Sequence, residues 1–428
     1  FPTLLPRMCL NRFYLAQGVK LYSHETWRAV MQDQGLARVV AYLPAVCRYY
    51  TQAADADNHV VREAACQAMA ELGVRLAAAD KQRYYAKKLV PHVPTLLQSL
   101  IMCFYDESWP VRDEACLATA LLCKAFPDDC ESELPTLWQR WSEQLNDQIW
   151  SVRQDAAVAL GDALEAFPTQ LWPKVHELLQ QLLPQAKEQP AMTREAWRAH
   201  QNDISAHTDS TLYSCGSLAP KLSKKSGAGR IGCSNCGVDR DKAPWEATDG
   251  CLYLLRELVI RCNVVDKEEG HHNEPPLACL KLTDADFFIP MMHQVVDVCR
   301  VKHFPQADEL RATLWRQLPV MAQAWGKDKF KKQYLHIFTE LLMDHLDMRT
   351  ASALSKHAAG QCADALADLV GRGIFRGRLE DWQQDIFDQA MRERANMPAG
   401  PSDEFSPYGP PGLLDGVGTT MPTAGRAF

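Results

Sequence analysis

A proline and an arginine recur at one fixed distance along the first part of this chain. Pro44 stands eighteen residues before Arg62, Pro94 eighteen before Arg112, and Pro135 eighteen before Arg153. The residues around each arginine recur as well. They are Val61, Ala64 and Ala65; then Trp109, Val111, Glu114 and Ala115; then Trp150, Val152, Asp155 and Ala156. Self-similarity at a step of about 40 residues marks a repeat architecture, in which each unit buries its apolar face against its neighbours. Proline is tolerated in the first turn of a helix and costly in its interior. Each unit therefore reads as a helix A with an early proline or a proline kink, a short turn, and a helix B that starts near the Val-Arg pair. The A helices are expected over residues 39–53, 84–104 and 133–145, and the B helices over 60–74, 111–125 and 151–166.

The pattern extends in both directions. Pro6 lies eighteen residues before His24, which suggests a degenerate earlier unit with Glu25, Trp27 and Arg28. Trp172-Pro173 opens a further A helix over 174–183, but its B helix does not follow. Residues 184–243 are polar and rich in Ser, Lys and Gly, and the frame returns only at Trp245, with Thr248 where the arginine stood. This stretch reads as an insertion between the halves of one hairpin, and insertions in repeat proteins often decorate the binding face. Further helices are expected over 286–304, 308–325, 327–346 and 350–370, with a capping helix over 379–394. The resulting division is 1–183 repeats, 184–244 loop insertion, 245–395 remaining hairpins, and 396–428 a Pro/Gly-rich tail, disordered or ordered on a partner.

The pattern Asp-x-x-x-x-Val-Arg-x-x-Ala after a proline-bearing helix resembles the HEAT repeat, an armadillo-like α-solenoid. Val61, Arg62 and Ala65 carry the resemblance, with Asp106, Val111, Arg112 and Ala115, and with Asp147, Val152, Arg153 and Ala156. It implies an all-α, right-handed α-solenoid of helical hairpins, with one long loop insertion and a flexible C-terminal tail. In such arrays the arginine meets an aspartate of its own or the next turn. Arg62, Arg112, Arg153, Asp106 and Asp147 are therefore read as a structural ladder.

Composition narrows the function classes. A net charge of −7 gives no basic stripe for nucleic acid. The longest apolar tract, residues 89–104, is interrupted by His92, Pro94, Gln98 and Ser99 and reads as a buried helix, so no membrane partner is expected. No signal peptide is visible. The chain starts at Phe1 and not at Met, so it is read as a fragment or processed product and that absence carries no weight. Its fifteen cysteines mostly fall in apolar helical patterns, as buried free thiols do. The expectation is a reducing compartment, cytoplasmic, with a cytoskeletal or ciliary setting as the variant of it.

Three groups of residues are candidates for contacts or chemistry. Trp109, Trp150 and Trp245 occupy equal register in the A-to-B turn. The favoured reading is a ring packed over the hairpin turn; the sharper one is a row of aromatic anchors for a partner. Cys233 and Cys236, flanked by glycines, resemble half of a zinc knuckle, with Cys215 as the nearest further ligand. A free-thiol loop is the favoured alternative, so no cofactor is expected unless it is zinc. The dipeptides His24-Glu25 and His176-Glu177 are too few for a paired metal site, and residues 221–230 form a basic linker. No Ser/His/Asp grouping has a context for catalysis. The expected function is a non-enzymatic scaffold or adaptor that binds other proteins in a large complex. The alternatives are a microtubule-associated protein, whose tubulin partner the acidic turns at Asp106-Glu107 and Asp147 disfavour, and a metal protein built on the Cys-x-x-Cys insertion.

Overall fold

The computed structural model describes residues 2–14, 16–79, 82–195, 198, 242–264, 274–347 and 353–396. These residues are helical, with no strand among them, and they form two compact units. The class is all-α, built of stacked helical hairpins. The candidate zinc ligands Cys215, Cys233 and Cys236, the basic linker and the C-terminal tail lie outside the described residues.

The first unit contains α1 (Leu4–Asn11), α2 (Gln17–Met31), α3 (Gly35–Ala41), α4 (Leu43–Ala53) and α5 (His59–Ala78). It continues with α6 (Tyr84–Leu89), α7 (Val93–Cys103), α8 (Trp109–Ala125), α9 (Leu134–Gln144), α10 (Trp150–Ala166) and much of α11 (Pro168–Leu182). The eighteen-residue spacing now has a physical origin. Helices α4, α7 and α9 each have 11 residues, and Pro44, Pro94 and Pro135 each stand second in them. There the missing N–H is one of the donors that have no intrahelical partner anyway. The corners are residues 54–58, 104–108 and 145–149, and Arg62, Arg112 and Arg153 fall in the first turn of α5, α8 and α10.

Two A helices expected as single elements are broken. Residues 39–53 divide at Tyr42 into α3 and α4, and 84–104 divide into α6, a 3-10 turn Val90–His92 and α7. Each break precedes a proline, which lacks the N–H for the i−4 bond and whose ring crowds the preceding turn. At the N-terminus the register also differs from the degenerate unit expected: His24 lies in the middle of α2 and not at a helix start.

The B helices stack in order, α5 on α8 and α8 on α10. Ala64, Ala65 and Ala68 of α5, Ala115 and Ala118 of α8, and Ala156 and Ala157 of α10 are buried. Small side chains let the helix axes approach. At Gly73 a Cβ would stand 2.8 Å from Leu122 Cδ1, so a larger residue there requires Leu122 to move. The A helices satisfy one another's ends. Gln144 Nε2 donates to Phe104 O at 3.2 Å. Trp141, fully buried, donates from Nε1 to Thr119 Oγ1 at 3.1 Å, tying α9 to α8.

The second unit repeats the arrangement. Its B helices α12 (Pro244–Asn263), α14 (Ala307–Trp325) and α16 (Ala353–Val370) stack in order. Its A positions are taken by a 3-10 segment Leu183–Glu188, α13 (Ile289–Cys299), α15 (Leu335–Asp347) and α17 (Asp381–Asn396). The start of the stretch read as a loop insertion, residues 184–188, is thus 3-10 helix, with Ala186 buried. Pro290 is again second in its helix. Trp325 stacks on Tyr334 with centroids 3.8 Å apart.

Candidate functional site

The corners of the first unit are built from one repeated set of bonds. Each arginine donates to a main-chain carbonyl of its own corner: Arg62 to Ala56 O at 2.8 Å, Arg112 to Asp106 O at 3.0 Å, and Arg153 to Asp147 O at 2.8 Å. These carbonyls lie in the corner, three residues past the end of helix A. Two arginines also cross to the next hairpin. Arg62 forms a fork on Asp106, Nε to Oδ2 at 2.5 Å and Nη2 to Oδ1 at 2.8 Å, and Arg112 Nη2 reaches Asp147 Oδ1 at 3.3 Å. Each aspartate also turns its own corner, accepting from Ser108 N at 2.8 Å and from Ile149 N at 2.9 Å. One carboxylate therefore shapes a corner and clamps the preceding hairpin to it.

The tryptophans of the turn differ among themselves. Trp109 and Trp150 are the first residues of α8 and α10 and are half-buried, whereas Trp245 is buried, with 6% of its surface exposed. Thr248 takes over the arginine's work in the second unit. Its hydroxyl accepts from Ala186 N at 2.8 Å and lies 3.0 Å from Leu183 O as donor, so it serves the end of the 3-10 segment. Arg311, by contrast, keeps the arginine role, donating from Nε to Cys299 O at 2.7 Å.

The face beside the clamps carries a row of carboxylates. Glu63 of α5, Glu114 of α8 and Asp155 of α10 are half-buried and belong to three consecutive B helices. Gln67 Nε2 donates to Glu114 Oε1 at 2.5 Å, and Asp113, buried, accepts from Ser151 Oγ at 2.8 Å. Burial raises the Glu63 carboxyl to about 7, and Lys20 opposes that shift. Glu114 rises to about 8. Burial is the main cause, with the negative charges of Glu63 and Asp155 adding to it; the Gln67 bond and Lys20 act the other way. Asp113 is pushed well above the usual carboxylate range by burial and then by Asp155. Near neutral pH this strip holds protons that ordinary carboxyls have released. The signal was available in principle, because Glu114 and Asp155 lie in the recurring motif itself. Their neighbourhood depends on B-helix stacking and could not be read along the chain.

Among the described residues no group of His, Cys, Asp and Glu could hold a metal ion, and no helix is long and apolar enough to cross a membrane. The described cysteines are free and mostly buried, and burial pushes the Cys47 thiol up to about 12.

No family model matches the chain, and no curated protein matches it. Among solved structures it is similar to yeast importin-beta (Kap95p), at 11% identity and a TM-score of 0.44, covering 91% of this chain and 37% of that one. It is also similar to Kap121p bound to Pho4p, at 12% identity and a TM-score of 0.36, covering 92% and 40%. An engineered protein matches at 11% identity and a TM-score of 0.22, covering 91% and 98%. The chain spans well under half the length of the two natural proteins.

Proposed function

We propose that this chain is a non-catalytic protein-binding scaffold whose first unit grips a Lys- or Arg-bearing segment of a partner. The observation that carries the reading is the strip Glu63–Glu114–Asp155, set across three stacked B helices with two carboxyl pKa values raised to about 7 and about 8. A raised carboxyl is one whose charged form lacks compensation. A cation brought beside it stabilises the ionised form, so cation binding and proton release are linked. The rigid clamps Arg62–Asp106 and Arg112–Asp147 fix the spacing of the strip, which lowers the ordering cost of binding.

The exposed corner residue Glu107 adds to the negative character near Asp106. An acidic partner such as tubulin would meet like charge on this face, so the microtubule reading gains no support from it. A cytoplasmic setting belongs to the proposal as well.

The test is fluorescence anisotropy of the full chain with a labelled lysine-rich peptide. Binding should tighten as pH rises from 6 to 8, and the double variant Glu63→Gln/Glu114→Gln should bind roughly tenfold more weakly at pH 8, about the effect of one lost partly buried charge pair. Equal affinity in the variant, or tighter binding of a glutamate-rich peptide, would overturn the reading.

A further inference from the structure

The A layer of the first unit carries charge of the opposite sign from the strip on its B helices. Residues 35–53 and 83–104 build the A positions of two consecutive hairpins. They hold Arg38, Arg48, Arg83, Lys87 and Lys88, and not one aspartate or glutamate. The chain has 53 acidic residues in 428, one in about eight, and a net charge of −7. Two whole A elements without a carboxylate therefore depart from its composition.

Three of these cations have no carboxylate to answer them. Arg48 on α4 and Lys87 and Lys88 on α6 are exposed, and none forms an ion pair with a described carboxylate. Helix α4 packs on α7, which the chain enters from α6 through the 3-10 turn Val90–His92. The step from Pro44 to Pro94 also carries Arg38 to Lys88, so the two hairpins place a cation at one register position. Arg38 is exposed and donates to Gln34 Oε1 at 3.1 Å. Arg83 is engaged otherwise, donating to Ala125 O at 2.6 Å. Beside the lysines stands Tyr84, 57% exposed, its ring centroid 5.3 Å from Lys88 Nζ.

A single exposed lysine is ordinarily just solvated. Here the sign is uniform over two neighbouring elements, and no carboxylate within them competes. The patch also has an end. The step from Pro94 to Pro135 carries Lys88 to Asp129, with Asp128, Glu131 and Glu133 close by in the chain. Arg48 lies ten residues beyond Arg38, about 15 Å along a helical path. An extended segment of about five residues covers that distance. A nucleic-acid strand, charged at every phosphate, runs on past two hairpins into the acidic start of the third.

We propose that this patch docks a short acidic segment of a partner protein, whose carboxylates sit on Arg48, Lys87 and Lys88 and whose carbon stems pack on the Tyr84 ring. The surface is independent of the carboxyl strip and selects the opposite charge.

The experiment is fluorescence anisotropy of the full chain with two labelled probes. One is a glutamate-rich peptide of about ten residues, long enough to span the patch when extended. The other is a single-stranded oligouridine of equal charge. The peptide should bind with saturation and more tightly than the oligouridine. Lys87→Glu/Lys88→Glu should weaken it by roughly tenfold, as loss and reversal of charge contacts at an interface does. Both lysines are exposed and take part in no ion pair, so the fold is retained, and an unchanged circular dichroism spectrum checks this. The control Lys174→Glu/Lys332→Glu alters net charge equally at exposed sites elsewhere and should leave affinity within about threefold. Glu63→Gln/Glu114→Gln should also leave it unweakened, which separates this surface from the strip. No saturable binding, equal loss in the control, or tighter binding of the oligouridine would overturn the proposal.

Discussion

Replacing Asp106 with alanine tests the corner clamp directly. The carboxylate accepts a fork from Arg62 at 2.5 and 2.8 Å and the Ser108 amide at 2.8 Å. The Arg62 and Asp106 side chains are 14% and 8% exposed, so neither is well screened by water. Removing one partner of such a pair costs about 3 kcal/mol, the lower end for buried pairs, because Arg62 keeps its bonds to Ala56 O and Asp57 O. Asp106→Asn retains the corner bond and one arginine contact, so it should cost about half as much. Two compact units make a single global unfolding energy unsuitable. The assay is therefore native-state hydrogen exchange of the α5 and α8 amides. About 3 kcal/mol corresponds to a loss of roughly two orders of magnitude in protection, with Asn in between. Protection within threefold of the parent, or equal losses for Asn and Ala, would refute the reasoning.

The remaining expectations concern titration and the altered corner. Folded Glu114 keeps its proton up to about 8, whereas an unfolded glutamate releases it near 4.5. The folded state thus binds more protons between these values, and its stability falls as pH rises through that window. Glu114→Gln should stabilise the first unit at pH 9, by on the order of 2 kcal/mol, and change its stability little at pH 5; no difference between the two pH values would contradict the burial argument. The second unit should respond in the opposite sense. Burial, with Arg311 and Lys302 adding to it, lowers His345 from 6.5 to about 3, so the unfolded state binds more protons in that window, and stability is lost as pH falls below 6.5. Exchange protection of α14 and α15 followed from pH 7 to 4 checks the sign. Thr248→Val keeps the shape but leaves Ala186 N and Leu183 O without their side-chain partner. It should cost about 2 kcal/mol in protection of α12, and a cost below about 0.5 kcal/mol would show that the hydroxyl does not replace the arginine.

Much of the fold was legible because its signals are local. A proline second in a helix, a corner of constant length and a Val-Arg pair in the first turn of the next helix are set within about twenty residues. They placed α8, α9 and α10 within two residues of their observed ends. The division of residues 84–104 was missed because hydrophobic periodicity runs through a break that Pro91 and Pro94 impose on the backbone. The Arg62 and Arg112 bonds were anticipated as a ladder, since their aspartates recur in register. The carboxyl strip and the buried pair of Trp315 and His345 were not anticipated. Each depends on helices brought together by stacking: Glu63 and Glu114 lie on different hairpins, and Trp315 meets His345 across two helices. Buried arginine Arg12, paired with Glu71 at 2.9 Å and seated 4.6 Å from the Trp27 ring, is a further contact between elements far apart in sequence.

The central claim is that the acidic strip of the first unit receives a cation from a partner protein. Proton release on binding measures it most directly. Calorimetric titration of the full chain with a lysine-rich peptide at pH 7.5, in two buffers of different ionisation enthalpy, gives the number of protons exchanged. With Glu63 near 7 and Glu114 near 8, about one proton resides on the pair at that pH and should be released, and Glu63→Gln/Glu114→Gln should abolish the release. Binding with no proton exchange, or release that persists in the double variant, would contradict the account.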